Sequence, residues 1–490
     1  MYKSKSYKLS KNLIAGLFSI CFSIQFISAQ NISFDKELGK KEAQNVASQI
    51  GIYHHEEAKG YIQAIGTRLI QQIEQPVFDY TFELVDMAEP NAFALPGGYI
   101  FVSRGLLCVA NTEDELAGVI GHEIIHSEKR HSVQQMRKSI FPSLLKLPGA
   151  IVGTVVNEDL GNLINIPLGA GSELLMSKYS RNHEKEADEL GIQIVADAGY
   201  DPSQLAIILN NLSREVETLT GEKEKFSYFN SHPITPDRVK YLEKEVSKLS
   251  IEPHDPITAS HEDFLKKVEG VYFWDNPEEG IFKGDTFMHP DLGIYCIFPE
   301  GWSTFNSPTF IGAMDEKNER GMIYLGMADT NATPEYLGNE FVNKLKQKHQ
   351  AVPERNEKIT LNGLDAYIVS IMDRTDAEPV GIHHLWFTLN NNTYRVIGAS
   401  YQSEYELLKK SANTLRPITD LEKESVKVPV LRFIAAYENE TLQELNERSG
   451  NTWSIELTAV MNNISPDKPL EKGQWVKIAR NEKYMNQNEK

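Results

Sequence analysis

Cysteine is scarce, three residues in 490. Cys21 falls in an N-terminal apolar run. Cys108 and Cys296 sit in the apolar contexts Leu106-Leu107-Cys108 and Ile294-Tyr295-Cys296-Ile297. Two buried thiols, not a disulfide framework, are the expectation even in an oxidising compartment. Positive charge is also short, with 50 Lys and Arg against 68 Asp and Glu and a formal charge of −18. A phosphate backbone requires a basic surface, so nucleic acid is not an expected partner. No fixed-period repeat or low-complexity tract is present, which excludes a helical-repeat tail. Apart from the N-terminus, long apolar runs are missing. Residues 139–176 are apolar but broken by Pro142, Pro148, Gly149, Gly153, Pro167 and Gly169, and Lys146 interrupts the longest stretch. They read as a lid hinged at Gly and Pro or as a core helical hairpin, not as a membrane span.

The N-terminus carries an export pattern. Lys3, Lys5, Lys8 and Lys11 precede an apolar run from Leu13 to Ile27, and Ser28-Ala29 before Gln30 is a cleavage site. Residues 1–29 are therefore expected to be a signal peptide, with an uncleaved anchor as the alternative. Its removal deletes four lysines and no acids, which takes the formal charge from −18 to −22. The expected location is the periplasm or cell envelope, with peripheral contact to a membrane.

The densest chemistry lies in Gly121-His122-Glu123-Ile124-Ile125-His126. H-E-x-x-H on a helix puts two imidazoles on one face within reach of one metal ion, with the glutamate beside them as a general base. Thr112-Glu113-Asp114-Glu115 reads as a capping box, and Leu116, Val119, Ile120 and Ile124 form the apolar stripe behind the ligand face. Catalytic zinc takes three protein ligands and keeps one open position. His131 lies nine residues after His122, about 180° around a continuous helix, and is expected to face away. A second helical pattern runs from about Ser177 to Ala198, with Ala187, Leu190 and Ile194 as its apolar face and Gly199 as its stop. It contains Glu184 and Asp188, one turn apart. One carboxylate can bind zinc while the other orients a ligand histidine, and spacing alone does not say which.

Four ordered motifs carry a resemblance. Asn91-Ala92-Phe93-Ala94-Leu95-Pro96-Gly97-Gly98-Tyr99, Gly121-His122-Glu123, Ser180-Arg181 before Glu184 to Asp188, and Ser231-His232-Pro233 with Arg238 resemble peptidase family 48 of the metallopeptidases. That group contains the CAAX-prenyl proteases, HtpX and the periplasmic BepA-type enzymes. The likeness covers about residues 35 to 250 and is nearest the soluble, exported branch. It implies a mainly helical gluzincin domain with a small sheet, Zn2+ held by His122, His126 and Glu184, Glu123 as catalytic base, and Asp188 in support. His232 would either donate to the tetrahedral intermediate or plug the fourth zinc position; a surface histidine is the plain alternative. The strand pattern Gly97 to Ser103 is a candidate edge for pairing with extended substrate.

After about Glu278-Glu279-Gly280 the pattern becomes strand-like, at Gly293 to Phe298, Met322 to Met327, Lys358 to Leu361, Ala366 to Ile371, His384 to Leu389 and Tyr394 to Ala399. Asn362-Gly363 and Asn390-Asn391-Asn392 mark hairpin turns, and Thr333-Pro334 starts a helix. An antiparallel sheet with helices on one face is expected. His289-Pro290-Asp291-Leu292-Gly293 and Phe298-Pro299-Glu300-Gly301-Trp302 resemble PsbP-like domains. His383 and His384 alternate across a strand and read as structural. Asp420 to Lys427 reads as a linker. Beyond it, Thr441-Leu442, Leu445, Leu457, Asn462, Leu470 and Val476-Lys477-Ile478 resemble a LysM module. Asn439-Glu440 replaces the usual Gly-Asp, which leaves open whether the unit binds peptidoglycan or only docks.

The expected fold class is a multidomain α+β chain: a signal peptide (1–29), a mainly helical zincin (30–270), an antiparallel-sheet α/β domain (280–418) and a small LysM-like β-α-α-β module (428–482). The expected function is a zinc metalloendopeptidase (hydrolase) for quality control of misfolded or misassembled envelope proteins. The alternative is a metal-plugged chaperone or assembly factor.

Overall fold

Helical and strand periodicities occupy separate stretches of this chain, and each stretch folds into its own layer. The computed structural model describes residues 32–136, 179–220, 232, 236–251, 255–328, 330–349, 351–374 and 378–486. The expected signal and lid segments lie outside them. Among the described residues, no helix is long and apolar enough to cross a membrane.

The first unit begins with α1 (residues 32–49) and α2 (Glu56–Ile70). A sheet of β1 (Thr81–Val85), β2 (Ala92–Leu95) and β3 (Tyr99–Ser103) follows. Then come α3 (Arg104–Val109), α4 (Glu113–Glu128), α5 (His131–Met136), α6 (Arg181–Asp197), α7 (Gln204–Thr220), α8 (Pro236–Val246) and α9 (His261–Val268). The sheet order is β1-β3-β2, with β3 parallel to β1 and antiparallel to β2. The Gly97 to Ser103 pattern is therefore a central strand, not an edge. A tight turn folds β2 back on β3, and β1 takes the other side of β3, which leaves β2 outermost and against α4. The α4 stripe of Leu116, Val119, Ile120 and Ile124 is fully buried in the core of this unit. Each such side chain removed from water contributes about 1.5–3 kcal/mol.

The second unit is built on a seven-stranded antiparallel sheet in the order β10-β11-β12-β13-β9-β8-β7. Its strands are β7 (Ser303–Asn306), β8 (Phe310–Met314), β9 (Gly321–Met327), β10 (Arg355–Leu361), β11 (Leu364–Asp373), β12 (Val380–Leu389) and β13 (Asn392–Tyr401). Asn362 and Gly363 (φ 49° and 86°), and Asn390 and Asn391 (φ 50° and 64°), close two-residue hairpins as their composition requires. Helices cover both faces, not one. Phe341, Val342 and Leu345 of α10 (Pro334–His349) fill one core, and Tyr405, Leu408 and Ala412 of α11 (Tyr405–Asn413) fill the other. The reason lies in β12, where nine of ten residues are buried, so neither face can meet water. A smaller sheet of β4 (Ile281–Lys283), β5 (Thr286–His289), β6 (Ile294–Ile297) and β14 (Arg416–Pro417) completes the α11 side.

His383 and His384 point to opposite faces. His383 meets Ser370 at 3.2 Å, and His384 packs on Phe341 and accepts from Arg395 at 2.9 Å. Both have structural partners. Cys108 and Cys296 are free and buried, in different cores.

The charged stretch expected to be a linker folds instead as α12 (Asp420–Ser425), because Thr419 and Glu422 cap each other reciprocally and Glu422 also pairs with Arg416. The last unit has the order β15 (Lys427–Ala435), α13 (Leu442–Ser449), α14 (Ile455–Met461), β16 (Trp475–Lys483), with the two strands antiparallel. It does not stand apart. Leu431 N–H donates to Val271 O at 2.8 Å and Phe273 N–H to Pro429 O at 2.9 Å, while Trp453, Leu457 and Met461 enter the core of the first unit.

Candidate metal centre

Two helices set the centre. Thr112 Oγ1 caps α4 by accepting from Glu115 N–H at 3.1 Å, but the Glu115 carboxylate reaches Asn111 N–H at 2.6 Å, so the box is not reciprocal. Ser180 Oγ caps α6 in the same way at His183 N–H, 3.3 Å. Gly121 and Gly191 let the helices nearly touch: a Cβ at Gly191 would lie 3.1 Å from His122 Cα, and one at Gly121 would lie 2.8 Å from Val195 Cγ2. That approach brings Glu184 and Asp188 of α6 onto the histidines of α4.

His122, His126, Glu184 and His232 each present one donor atom, all within 4.8 Å of one another and all buried. His126 Nε2 lies 3.0 Å from His122 Nε2 and 3.3 Å from Glu184 Oε1. His232 Nδ1 lies 3.2 Å from His122 Nε2 and 2.9 Å from Glu184 Oε1. A tetrahedron with metal–ligand bonds of about 2.0–2.1 Å has edges of about 3.3 Å. Imidazole nitrogen and carboxylate oxygen are donors zinc accepts, and the four separations above, 2.9–3.3 Å, lie close to that edge. Glu123, also fully buried, places Oε1 3.4 Å from His232 Nε2.

The surroundings hold His126 and Glu184 in ligating form. Burial lowers the His126 pKa well below the usual imidazole range, against the pull of Glu184. Burial raises Glu184, but His232, His126 and Arg238 outweigh it and keep the carboxyl well below its ordinary range. Asp188 is likewise held down despite burial, chiefly by Arg238 and His122. Arg238, on α8, donates to Asp188 Oδ2 and Oδ1 at 2.8 Å each, and its Nη1 lies 2.8 Å from Glu184 Oε2. Asp188 Oδ1 in turn lies 3.0 Å from His122 Nδ1. Burial disfavours a charged His232, yet Glu184 and Glu123 raise its pKa overall. A metal cation reverses that preference, because an imidazole must give up its proton to ligate.

The structure thus brings Glu123, Asp188 and the four donor residues together. His131 is the exception to the reading from helical phase. Helix α4 stops at Glu128, Arg130 takes a left-handed φ of 59°, and its guanidinium clamps Asp35 of α1. The chain turns and delivers the His131 ring back to His126, with the two Nδ1 atoms 3.1 Å apart. Tyr179 was also missed: its ring lies 3.9 Å from that of His126, and its hydroxyl is 2.9 Å from Ser132 Oγ. Its position directly before Ser180-Arg181 was the signal available in the sequence.

The cluster sets the two histidines of an H-E-x-x-H helix and a glutamate of a second helix around one point. Residues 56–246 match Peptidase family M48, and the chain carries an M48 peptidase domain. A "Beta-barrel assembly-enhancing protease" of Yersinia pestis is 27% identical over 218 residues, 43% of this chain and 43% of that protein. The "Mitochondrial metalloendopeptidase OMA1" of Arabidopsis thaliana is 32% identical over 164 residues, 33% of this chain and 31% of that protein. The chain thus spans under half the length of either relative. A solution structure of cyanobacterial PsbP from Synechocystis sp. PCC 6803 aligns with TM-score 0.22 and 10% identity over 28% of this chain and 95% of that one, a likeness too slight to carry an argument.

Proposed function

We propose that the chain is a zinc endopeptidase of the bacterial cell envelope that hydrolyses peptide bonds of misfolded or misassembled envelope proteins. The observation that carries this reading is the buried His122–His126–Glu184 cluster with Glu123 beside it. Zinc there would supply Lewis acidity and bring the pKa of water down to about 7. His122, His126 and Glu184 would hold the ion, and Asp188, fixed by Arg238, sets the His122 ring and tautomer. Glu123 takes the proton from attacking water and later passes it to the leaving amine. The N-terminal export pattern and the name of the Yersinia relative support an envelope substrate. The domain limits 30–270, 280–418 and 428–482, and peptidoglycan contact by the last unit, belong to the same proposal. In that unit Asn439 takes a left-handed φ of 60°, where the usual motif has glycine, and Glu440 closes the loop through Arg448.

The deciding experiment compares purified full chain with Glu123→Gln. Zinc content near one per chain in both, with casein cleavage reduced on the order of 10²-fold or more in the variant, is expected. Undiminished cleavage by Glu123→Gln, or a parent chain that binds no zinc, overturns the mechanism.

One observation favours a second reading, a metal-plugged chaperone or assembly factor. His232 Nδ1 stands at the fourth corner of the cluster, 3.2 Å from His122 Nε2, where an open position would otherwise admit water.

A further inference from the structure

The two histidines of α4 are backed in different ways. Behind His122 stands a buried carboxylate, Asp188, itself locked by Arg238. Behind His126 stands another histidine. His131 Nδ1 lies 3.1 Å from His126 Nδ1, and His131 Nε2 lies 3.3 Å from Glu186 Oε2. The His131 ring is buried and stacked on His183, with centroids 4.3 Å apart and planes at 9°. The Glu186 side chain is 46% exposed, and Lys129 Nζ lies 3.9 Å from its other oxygen.

Only one ordering of protons suits this row when His126 presents Nε2 to the cluster. His126 Nε2 must carry its lone pair, so the His126 proton sits on Nδ1 and is donated to His131 Nδ1. His131 must then keep its own proton on Nε2, and donates it to Glu186. Each bond fixes the tautomer of the next ring, and the terminal carboxylate increases the basicity of His126 Nε2.

We propose that His131 and Glu186 form a positioning relay for His126, one that sets the metal affinity of the centre from a carboxylate at the protein surface. The proposal rests on the metal-site reading above. Neither residue offers a donor atom to the cluster; both act through His126. The outward end of the relay is what distinguishes it from the sealed Asp188–Arg238 arm. Glu186 meets solvent and Lys129, so its influence on His126 responds to surface substitution.

The test is zinc affinity of the full chain, measured by competition with a chromophoric chelator, together with the melting temperature of metal-stripped protein. His131→Phe keeps a flat ring on His183 but removes both nitrogens. Glu186→Ala removes the carboxylate, and Glu186→Gln keeps an acceptor without charge. Affinity is expected to fall 10- to 100-fold in His131→Phe and Glu186→Ala, with Glu186→Gln between them and the parent. Metal-free melting of the Glu186 variants should be unchanged. Parent-like affinity in Glu186→Ala overturns the relay and leaves the metal site standing. A parent chain that binds no zinc overturns the site reading itself. Should His131→Phe not fold, the exposed Glu186 pair decides alone.

Discussion

Lys477 Nζ, on the last strand, lies 2.7 Å from the carbonyl oxygen of Ala110, two positions before the cap of the histidine-bearing helix. It also donates to Cys108 O at 2.9 Å and Val109 O at 3.0 Å. A lysine from the C-terminal unit thereby supplies the donors that the end of α3 lacks. Burial pushes the Lys477 ammonium down and the nearby Glu115 carboxyl up, and each opposes the other's shift.

Lys477→Met is therefore expected to cost about 3–5 kcal/mol, since it takes a buried donor from the carbonyls of Cys108 and Ala110, while Val109 O keeps Asn111 Nδ2, and leaves a buried acid without its cation. Denaturant unfolding measures the loss. Adding Glu115→Gln should recover part of it, and strictly additive effects would show that the two groups are not coupled.

His232→Ala separates its two roles by the sign of the change. As a plug at the fourth corner, its loss raises activity on unfolded casein. As a donor to the oxyanion, its loss lowers activity on the order of 10²-fold or more. The geometry favours the increase. Activity equal to the parent at saturating zinc would remove His232 from both roles.

Arg238 grips Glu184 and Asp188 at once, which a point charge cannot reproduce. Arg238→Lys should weaken zinc binding by about tenfold or more, whereas Glu184→Ala should abolish stoichiometric zinc. Equilibrium dialysis with metal analysis distinguishes the two, and full zinc in Glu184→Ala would reassign the third ligand.

Glu215 on α7 provides a pH test away from the centre. Burial, with a smaller push from Glu89, raises its carboxyl to about 7. The folded state then binds more protons than the unfolded chain between about pH 4.5 and 7, so the parent loses stability as pH rises through that window. Glu215→Gln should match the parent near pH 4 and exceed it at pH 8 by on the order of 2–3 kcal/mol. A variant-to-parent difference independent of pH would contradict this assignment.

Local patterns carried a large part of this structure. H-E-x-x-H, the Glu184–Asp188 pair and the apolar stripe of α4 are all set by 3.6-residue periodicity, so one-dimensional spacing decides which side chains share a face. The Asn-Gly and Asn-Asn hairpins and the separation of His383 from His384 follow from turn chemistry and strand alternation in the same way. Tertiary structure decided the remainder. His131 turns back because Arg130 leaves the helix to meet Asp35, 95 residues earlier in sequence. His232 reaches His122 across 110 residues, β3 became the central strand between β1 and β2, and Lys477 crosses 367 residues to Ala110. Each of these depends on which distant surfaces pack, a free-energy contest among many long-range contacts. Residue spacing determines the periodicity of an element but not the partner it buries against.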